Sequence, residues 1–114
     1  MRPKALPDFV ERYVKLLDAS LWPTESGALA RPTYQAVARR MESLGFEISV
    51  AHLARLRNAP SANPSAYYLL GLAHTFDVSP MVWFDEEAFT AAIRHVTELA
   101  ARRTATLAPT STDG

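Results

Sequence analysis

The side chains best suited to chemistry in this 114-residue sequence are arginines clustered in its middle third. Residues 31–63 contain five arginines against two glutamates, a balance of +3, whereas residues 64–100 contain one arginine against five carboxylates, a balance of −4. The formal net charge is zero, so the asymmetry predicts a positive and a negative side. Guanidinium groups donate paired hydrogen bonds to phosphate oxygens and to guanine, and the cluster favours partners of that kind.

Two other sets of residues could support chemistry, and the sequence argues against both. His52, His74 and His95 could ligate a metal, but they lie on three different predicted helices with no ligand pair one helical turn apart. The acidic run at residues 85–87 is explained by a helix start, where carboxylates interact favourably with the helix dipole. Because there is no cysteine, phosphate loop or nucleophile paired with a base, we expect no enzymatic activity, no metal and no cofactor.

Hydrophobic spacings of three and four residues predict that helices position these arginines, and no segment alternates regularly enough to predict a strand. A first helix is predicted from about Pro7 to Asp18, followed by a connection that contains Pro23, Gly27 and Pro32. Further helices are predicted to start at the N-cap residues Thr33, Ser49, Asn63, Ser79 and Asp85. We therefore expect an all-α fold with five short helices and one C-terminal helix.

The second and third predicted helices, residues 33–45 and 49–57, point most directly to a function. Apolar positions would pack one against the other, namely Val37, Ala38 and Met41 on the second helix and Leu53 and Leu56 on the third. The third helix then presents a basic outer surface, and a helix presented in this way can enter the major groove of DNA, which is about 12 Å wide. Arg39 and Arg40 on the second helix could contact phosphate or be ordinary surface charges, and Arg57 could instead pair with Glu42 or Glu47.

The segment from Thr33 to Val82 resembles the phage-repressor type of helix-turn-helix, the XRE or Cro/C1 family. The resemblance is carried by YQAVARRM at 34–41, ISVAHLARLRNA at 48–59 and NPSAYYLLGLAHTFDVS at 63–79. Within that family it is strongest to the mycobacterial EspR-like nucleoid-associated regulators, and there it extends to about Glu87. The resemblance implies a dimeric transcriptional regulator or nucleoid-associated protein that binds double-stranded DNA in the cytoplasm, at the nucleoid.

The resemblance also implies roles for individual residues. The predicted base contacts are Val50, Ala51 and Arg55, and the predicted DNA backbone contacts are Thr33, Ser49, His52, Arg57 and Asn58. Arg55 suits direct readout because a guanidinium can bond guanine O6 and N7 together. Val50 and Ala51 offer only apolar contact, such as to a thymine methyl, so binding is expected to depend strongly on the backbone and to tolerate sequence variation.

The C-terminal helix predicts a second functional surface. Its apolar residues Phe89, Ile93, Val96 and Leu99 follow helical spacing. Since a repressor-type domain of five short helices closes its own core, we expect this stripe to form a homodimer; alternatively, the helix folds back and completes the core of the monomer. The expected organisation is a DNA-binding domain at 1–84, a dimerisation helix at 85–103 and a disordered tail at 104–114.

A different class of function also fits this pattern. The same fold could be a protein-interaction module, such as an antitoxin-like or regulator-binding partner, with only weak DNA contact. The basic outer face of the third helix favours DNA over this alternative. We expect no association with membranes, because the N-terminus lacks the apolar core of a signal peptide and no run approaches the roughly 20 apolar residues of a membrane span.

Overall fold

The computed structural model describes residues 9–57 and 64–107, which form a mostly helical fold with one short hairpin. The elements in chain order are α1 (Phe9–Ala19), β1 (Trp22–Pro23), β2 (Leu29–Ala30), α2 (Tyr34–Ser43), α3 (Val50–Arg57), α4 (Ala66–Thr75), a 3₁₀ helix (Pro80–Trp83) and α5 (Glu86–Leu107). The expectation of a mainly α-helical chain is confirmed. None of these helices is long and apolar enough to cross a membrane.

The starts of three helices are capped by the residues that the sequence predicts. The Ala36 N–H donates to Thr33 Oγ1 at 3.0 Å, and the His52 N–H donates to Ser49 Oγ at 3.0 Å. At α5 the Ala88 N–H donates to Asp85 Oδ2 at 2.9 Å. Each cap satisfies a backbone donor that has no partner within its helix, and is worth about 1 kcal/mol.

The cap of α4 differs from the prediction. Ser65 caps this helix, with its Oγ accepting from the Tyr68 N–H at 3.4 Å, and the helix begins at Ala66. The predicted cap, Asn63, lies outside the described residues. Serine and asparagine cap helices about equally well, so the residue types alone do not choose between these two positions.

The prediction of no strand is wrong for the connection between α1 and α2. Trp22 pairs with Ala30 and Pro23 pairs with Leu29 in an antiparallel ladder. The turn is closed by the Thr24 N–H, which donates to Ala28 O at 2.7 Å, and Gly27 adopts a φ of +89°. Strands of two residues are too short to show the alternation on which a sequence-based strand prediction depends.

One hydrophobic core joins α1 to α5. The fully buried large side chains are Phe9, Tyr13, Leu16, Leu17, Val37, Met41, Leu53, Leu72 and Val82. Gly71 allows α2 to approach α4 closely, because a Cβ on this residue would lie 2.6 Å from Met41 Cε and 3.0 Å from the Phe46 ring. A glycine inside a predicted helix, as Gly71 is, is a sequence signal that could have indicated such close packing.

The first half of α5 belongs to this core, which corrects part of the dimerisation prediction. Phe89 is 8% exposed and Val96 is 4% exposed, and Ala92 between them is also buried. Ile93 and Leu99 are only partly buried. Phe89 and Val96 are therefore not free to form a surface between two copies, because they belong to the core of the monomer, where α5 packs against α1 and the 3₁₀ helix.

The C-terminal end of α5 also differs from the prediction. The helix continues to Leu107, so residues 104–107 are helical although the disordered tail was predicted to begin at Thr104. The sequence contains no glycine or proline between Glu86 and Leu107, and the first proline after α5 is Pro109, so no helix breaker ends the helix at Thr104. Residues 108–114, the rest of the predicted tail, lie outside the described residues.

Arg12 joins α1 to the start of α5 from a buried position. It is 6% exposed, and its Nη1 donates to Val82 O at 2.7 Å while Nη2 donates to Glu86 Oε1 at 2.9 Å. Its guanidinium also lies over the Phe89 ring, 5.1 Å from the centroid. Nothing in the sequence distinguishes this residue, because a lone arginine on an amphipathic helix is usually exposed.

Candidate nucleic-acid interface

α3 has a buried face and an exposed face, and the core determines which is which. Leu53 and Leu56 are buried, whereas Val50 is 44% exposed. The Tyr13 hydroxyl donates to Leu53 O at 3.3 Å and so ties α3 to α1. Burial, with a smaller contribution from the neighbouring Tyr34 hydroxyl, raises the pKa of Tyr13, which keeps this hydroxyl protonated as a donor.

The three predicted base-contact residues all lie on exposed positions of α3. Ala51 and Arg55 are four residues apart and share one face, while Val50 lies beside Ala51 in the first turn. Within residues 9–57 and 64–107, Arg55 has no carboxylate partner. The structure thus brings an apolar first turn and an arginine one turn later onto the same outer surface.

His52 orients Arg55 and does not itself face outward. Arg55 Nη2 lies 3.3 Å from His52 Nδ1, and the imidazole packs against the Tyr68 ring with 4.5 Å between centroids. His52 Nε2 is buried and has no hydrogen-bond partner among residues 9–57 and 64–107. The prediction that His52 contacts the DNA backbone therefore needs correction, because Tyr68 on α4 holds the ring inward and leaves Nδ1 facing Arg55.

The predicted backbone-contact residues Thr33 and Ser49 lie at the N-termini of α2 and α3. Both are exposed, and each hydroxyl oxygen accepts from a backbone N–H, which leaves its own O–H proton able to donate to a phosphate. Arg57 at the end of α3 is exposed as well. Asn58 lies outside the described residues.

The arginines of the basic region are not equally available. Arg31 pairs with Asp18, and Arg39 lies 3.9 Å from Glu25. These pairs are solvent-exposed, so a phosphate could replace the carboxylate at little cost. Arg40 is turned towards α4, where its Nε donates to Thr75 O at 3.2 Å. In the part of the chain that the structure describes, Arg57 forms no ion pair, so pairing with Glu42 or Glu47 is not seen.

A groove of about 700 Å³ separates the exposed sides of α2 and α3. Arg39 and Ser49 line it, together with the carboxylates Glu42 and Glu47. A phosphate that entered this groove would meet a positive charge and a helix N-terminus, but also two negative charges. The electrostatics of this surface are therefore mixed, and only the far end of α3, with Arg55 and Arg57, is purely basic.

Aromatic residues on α4 hold the connection between α2 and α3. The Glu47 N–H donates to the Tyr67 hydroxyl at 2.6 Å. Phe46 packs against Tyr67 and stacks on His74, with 5.4 Å and 5.9 Å between ring centroids. These contacts set the position from which α3 starts. They join residues that are about 20 or more positions apart, so no local sequence pattern predicts them.

No model of a known protein family matches this chain, and no curated protein matches it. The functional interpretation therefore depends on the site itself. That site consists of an anchored helix whose exposed face carries Val50, Ala51 and Arg55, with capping hydroxyls at the starts of α2 and α3.

Proposed function

We propose that this protein binds double-stranded DNA by placing α3 in the major groove. The observation that carries this proposal is the exposed face of α3, where Arg55 follows Val50 and Ala51. Arg55 forms no ion pair within residues 9–57 and 64–107, while Leu53 and Leu56 anchor the opposite face. An α-helix with its side chains is about 10–12 Å in diameter, close to the width of the groove. Arg55 would bond guanine O6 and N7, and the two small apolar residues would contact thymine methyl groups.

Phosphates on either side of the groove would be held by Thr33, Ser49 and Arg57. Backbone N–H groups at the N-termini of α2 and α3 would add to the attraction for phosphate. Only Arg55 can form a bidentate bond to a base edge, so the larger share of affinity comes from backbone contacts. This balance favours sequence-tolerant binding, as expected of a nucleoid-associated protein or a regulator of low intrinsic selectivity.

The proposed role is that of a dimeric helix-turn-helix regulator of the XRE type, similar to EspR-like proteins. Two copies would place two α3 helices in successive major grooves, about 34 Å apart. Because Phe89 and Val96 are buried in the monomer core, fewer residues of α5 remain for a dimer surface than the sequence suggests. A mainly apolar groove of about 440 Å³ between α1 and α5, which includes Ala19, Thr90 and Ile93, is the surface that supports this part of the proposal.

A salt titration tests DNA binding against the rival protein-interaction function. Fluorescence anisotropy of a labelled random duplex, measured between low and physiological salt, should give a log–log slope of about −0.9 for each phosphate neutralised. A slope of several units is expected for a dimer. A slope near zero, or no binding, would refute the DNA proposal and favour a module that binds another protein.

A further inference from the structure

A second cavity, of about 270 Å³, lies among the hairpin, α2, the end of α4 and α5. No residue of α3 lines it, so it is separate from the proposed DNA surface. Its lining includes two guanidiniums, Arg40 from α2 and Arg103 from α5, and apolar side chains from the hairpin and α5. A partly enclosed cavity with an apolar wall and a few polar groups is the usual form of a small-molecule site.

Backbone carbonyls hold both guanidiniums at the cavity and leave donors unused. Arg40 Nε donates to Thr75 O at 3.2 Å, and Arg103 Nη1 donates to Leu21 O at 2.7 Å. Each guanidinium therefore keeps two further nitrogen atoms with N–H groups that these bonds do not use. Neither arginine forms an ion pair with any residue of the ranges 9–57 and 64–107. Two guanidiniums that form no ion pair within these ranges favour an anion.

The third charged residue of the lining determines how much negative charge the cavity accepts. Asp77 adopts a φ of +59°, and its Oδ2 lies 3.4 Å from His95 Nε2. The lining carries two positive charges, Arg40 and Arg103, and one negative charge, Asp77. One additional negative charge neutralises it, whereas a dianion would meet repulsion from Asp77. The balance of charge favours a monoanion.

The apolar part of the lining determines the type and the size of the uncharged group that the ligand carries. Trp22 and Phe76 pack with 5.8 Å between ring centroids, and Val96 and Leu99 come from α5. A cavity of roughly 150 Å³ accommodates benzene, so 270 Å³ has room for on the order of ten non-hydrogen atoms.

We propose that this cavity binds a small amphipathic monoanion, a carboxylate that carries an aromatic or branched aliphatic group. The carboxylate would lie between Arg40 and Arg103, and the apolar group would lie against Trp22 and Leu99. Such a ligand would connect α2 to α5. The binding site itself does not depend on DNA binding and can be tested without DNA.

Phenylacetate is a suitable probe because it has one carboxylate on an aromatic ring and about the size that the cavity accommodates. The chain has two tryptophans, and only Trp22 lines the cavity, whereas the Trp83 indole N–H is bonded to Leu69 O in the core. Two-dimensional NMR of the full chain resolves the two indole N–H signals. Phenylacetate should shift the Trp22 signal in a saturable way, with a dissociation constant on the order of 1 mM, and leave Trp83 nearly unmoved.

Ligand and protein controls decide whether the arginines recognise the carboxylate. Phenylacetamide is neutral and has the same shape. Its affinity should be lower by at least about tenfold, because it cannot form charge-assisted bonds to both guanidiniums. Arg40→Gln and Arg103→Gln should each weaken phenylacetate binding by about tenfold. Arg102→Gln, at the exposed neighbouring position on α5, should not.

Three outcomes would overturn the proposal: no shift of Trp22, an equal affinity for phenylacetamide, or unchanged binding by both arginine variants. The comparison of the two ligands uses the wild-type chain, so it remains decisive even if an arginine variant fails to fold. If the salt titration refuted DNA binding, the result for the cavity would still stand, because it is measured from the Trp22 signal without DNA.

Discussion

α3 and α5 are both amphipathic, but the fold uses their apolar positions in different ways. α3 buries Leu53 and Leu56 and keeps its opposite face free, so its apolar residues anchor a functional surface. α5 buries Phe89 and Val96 in the core of the monomer, so two of the four apolar residues that the sequence suggested for a partner instead complete the core. An apolar stripe shows that a helix has a partner, but not whether that partner belongs to the same chain.

The largest effect should come from Phe89→Ala. Removing this buried ring creates a cavity in the monomer core and should lower the free energy of unfolding by about 3–5 kcal/mol. Urea denaturation followed by circular dichroism measures the change, and Thr97→Ala, at an exposed position of α5 outside the proposed dimer groove, is the control. If Phe89→Ala instead shifted the unfolding midpoint only at protein concentrations at which the wild type is dimeric, Phe89 would stabilise the dimer. The burial of Phe89 in the monomer core, on which the contrast with α3 rests, would then be contradicted.

Arg55→Ala tests the functional side of the comparison. It should weaken binding to a preferred duplex by about 1–3 kcal/mol and relax selectivity at one base position, while leaving stability within about 0.5 kcal/mol. Arg94→Ala removes an exposed arginine from α5 and should change neither quantity by much. Competition anisotropy with specific and random duplexes gives both numbers. Equal losses for Arg55→Ala and Arg94→Ala would show that net charge, and not the surface of α3, governs binding.

Glu47→Gln should strengthen DNA binding by less than about 1 kcal/mol at low salt. Glu47 lines the groove beside Ser49, so its carboxylate repels a phosphate that approaches the start of α3. The gain should fall as salt is added, since the repulsion acts through solvent. Glu98→Gln on α5 makes the same change of charge away from the groove and should have a smaller effect. A larger gain from Glu98→Gln would mean that DNA approaches a different face.

The smallest effect should come from His52→Phe, which retains a ring against Tyr68 but removes the nitrogen that faces Arg55. Affinity should fall by a few tenths of a kcal/mol, since one exposed hydrogen bond that orients Arg55 is lost. The slope of affinity against salt should not change, because the His52 ring faces inward. A slope reduced by about 0.9 would show that His52 contacts a phosphate after all.

Local signals in the sequence determined much of the helical framework. Thr33, Ser49 and Asp85 cap helices because a short polar side chain can reach the N–H three residues ahead, whatever the surrounding fold. Gly45 ends α2 with a φ of +94°, a conformation that glycine adopts without steric cost. The buried and exposed faces of α3 also follow from its spacing, so the exposure of Val50, Ala51 and Arg55 was predictable.

Tertiary structure alone decided what each exposed or apolar face meets. The side chains of Arg12 and His52 turn inward, and Arg40 bonds to α4, because distant elements offer a carbonyl or a ring at the right place. No pattern within one helix encodes such contacts. The burial of Phe89 likewise depends on the packing of α5 against α1 and the 3₁₀ helix. Caps and periodicity are properties of neighbouring residues, whereas these contacts join residues far apart in sequence, so only the folded chain determines them.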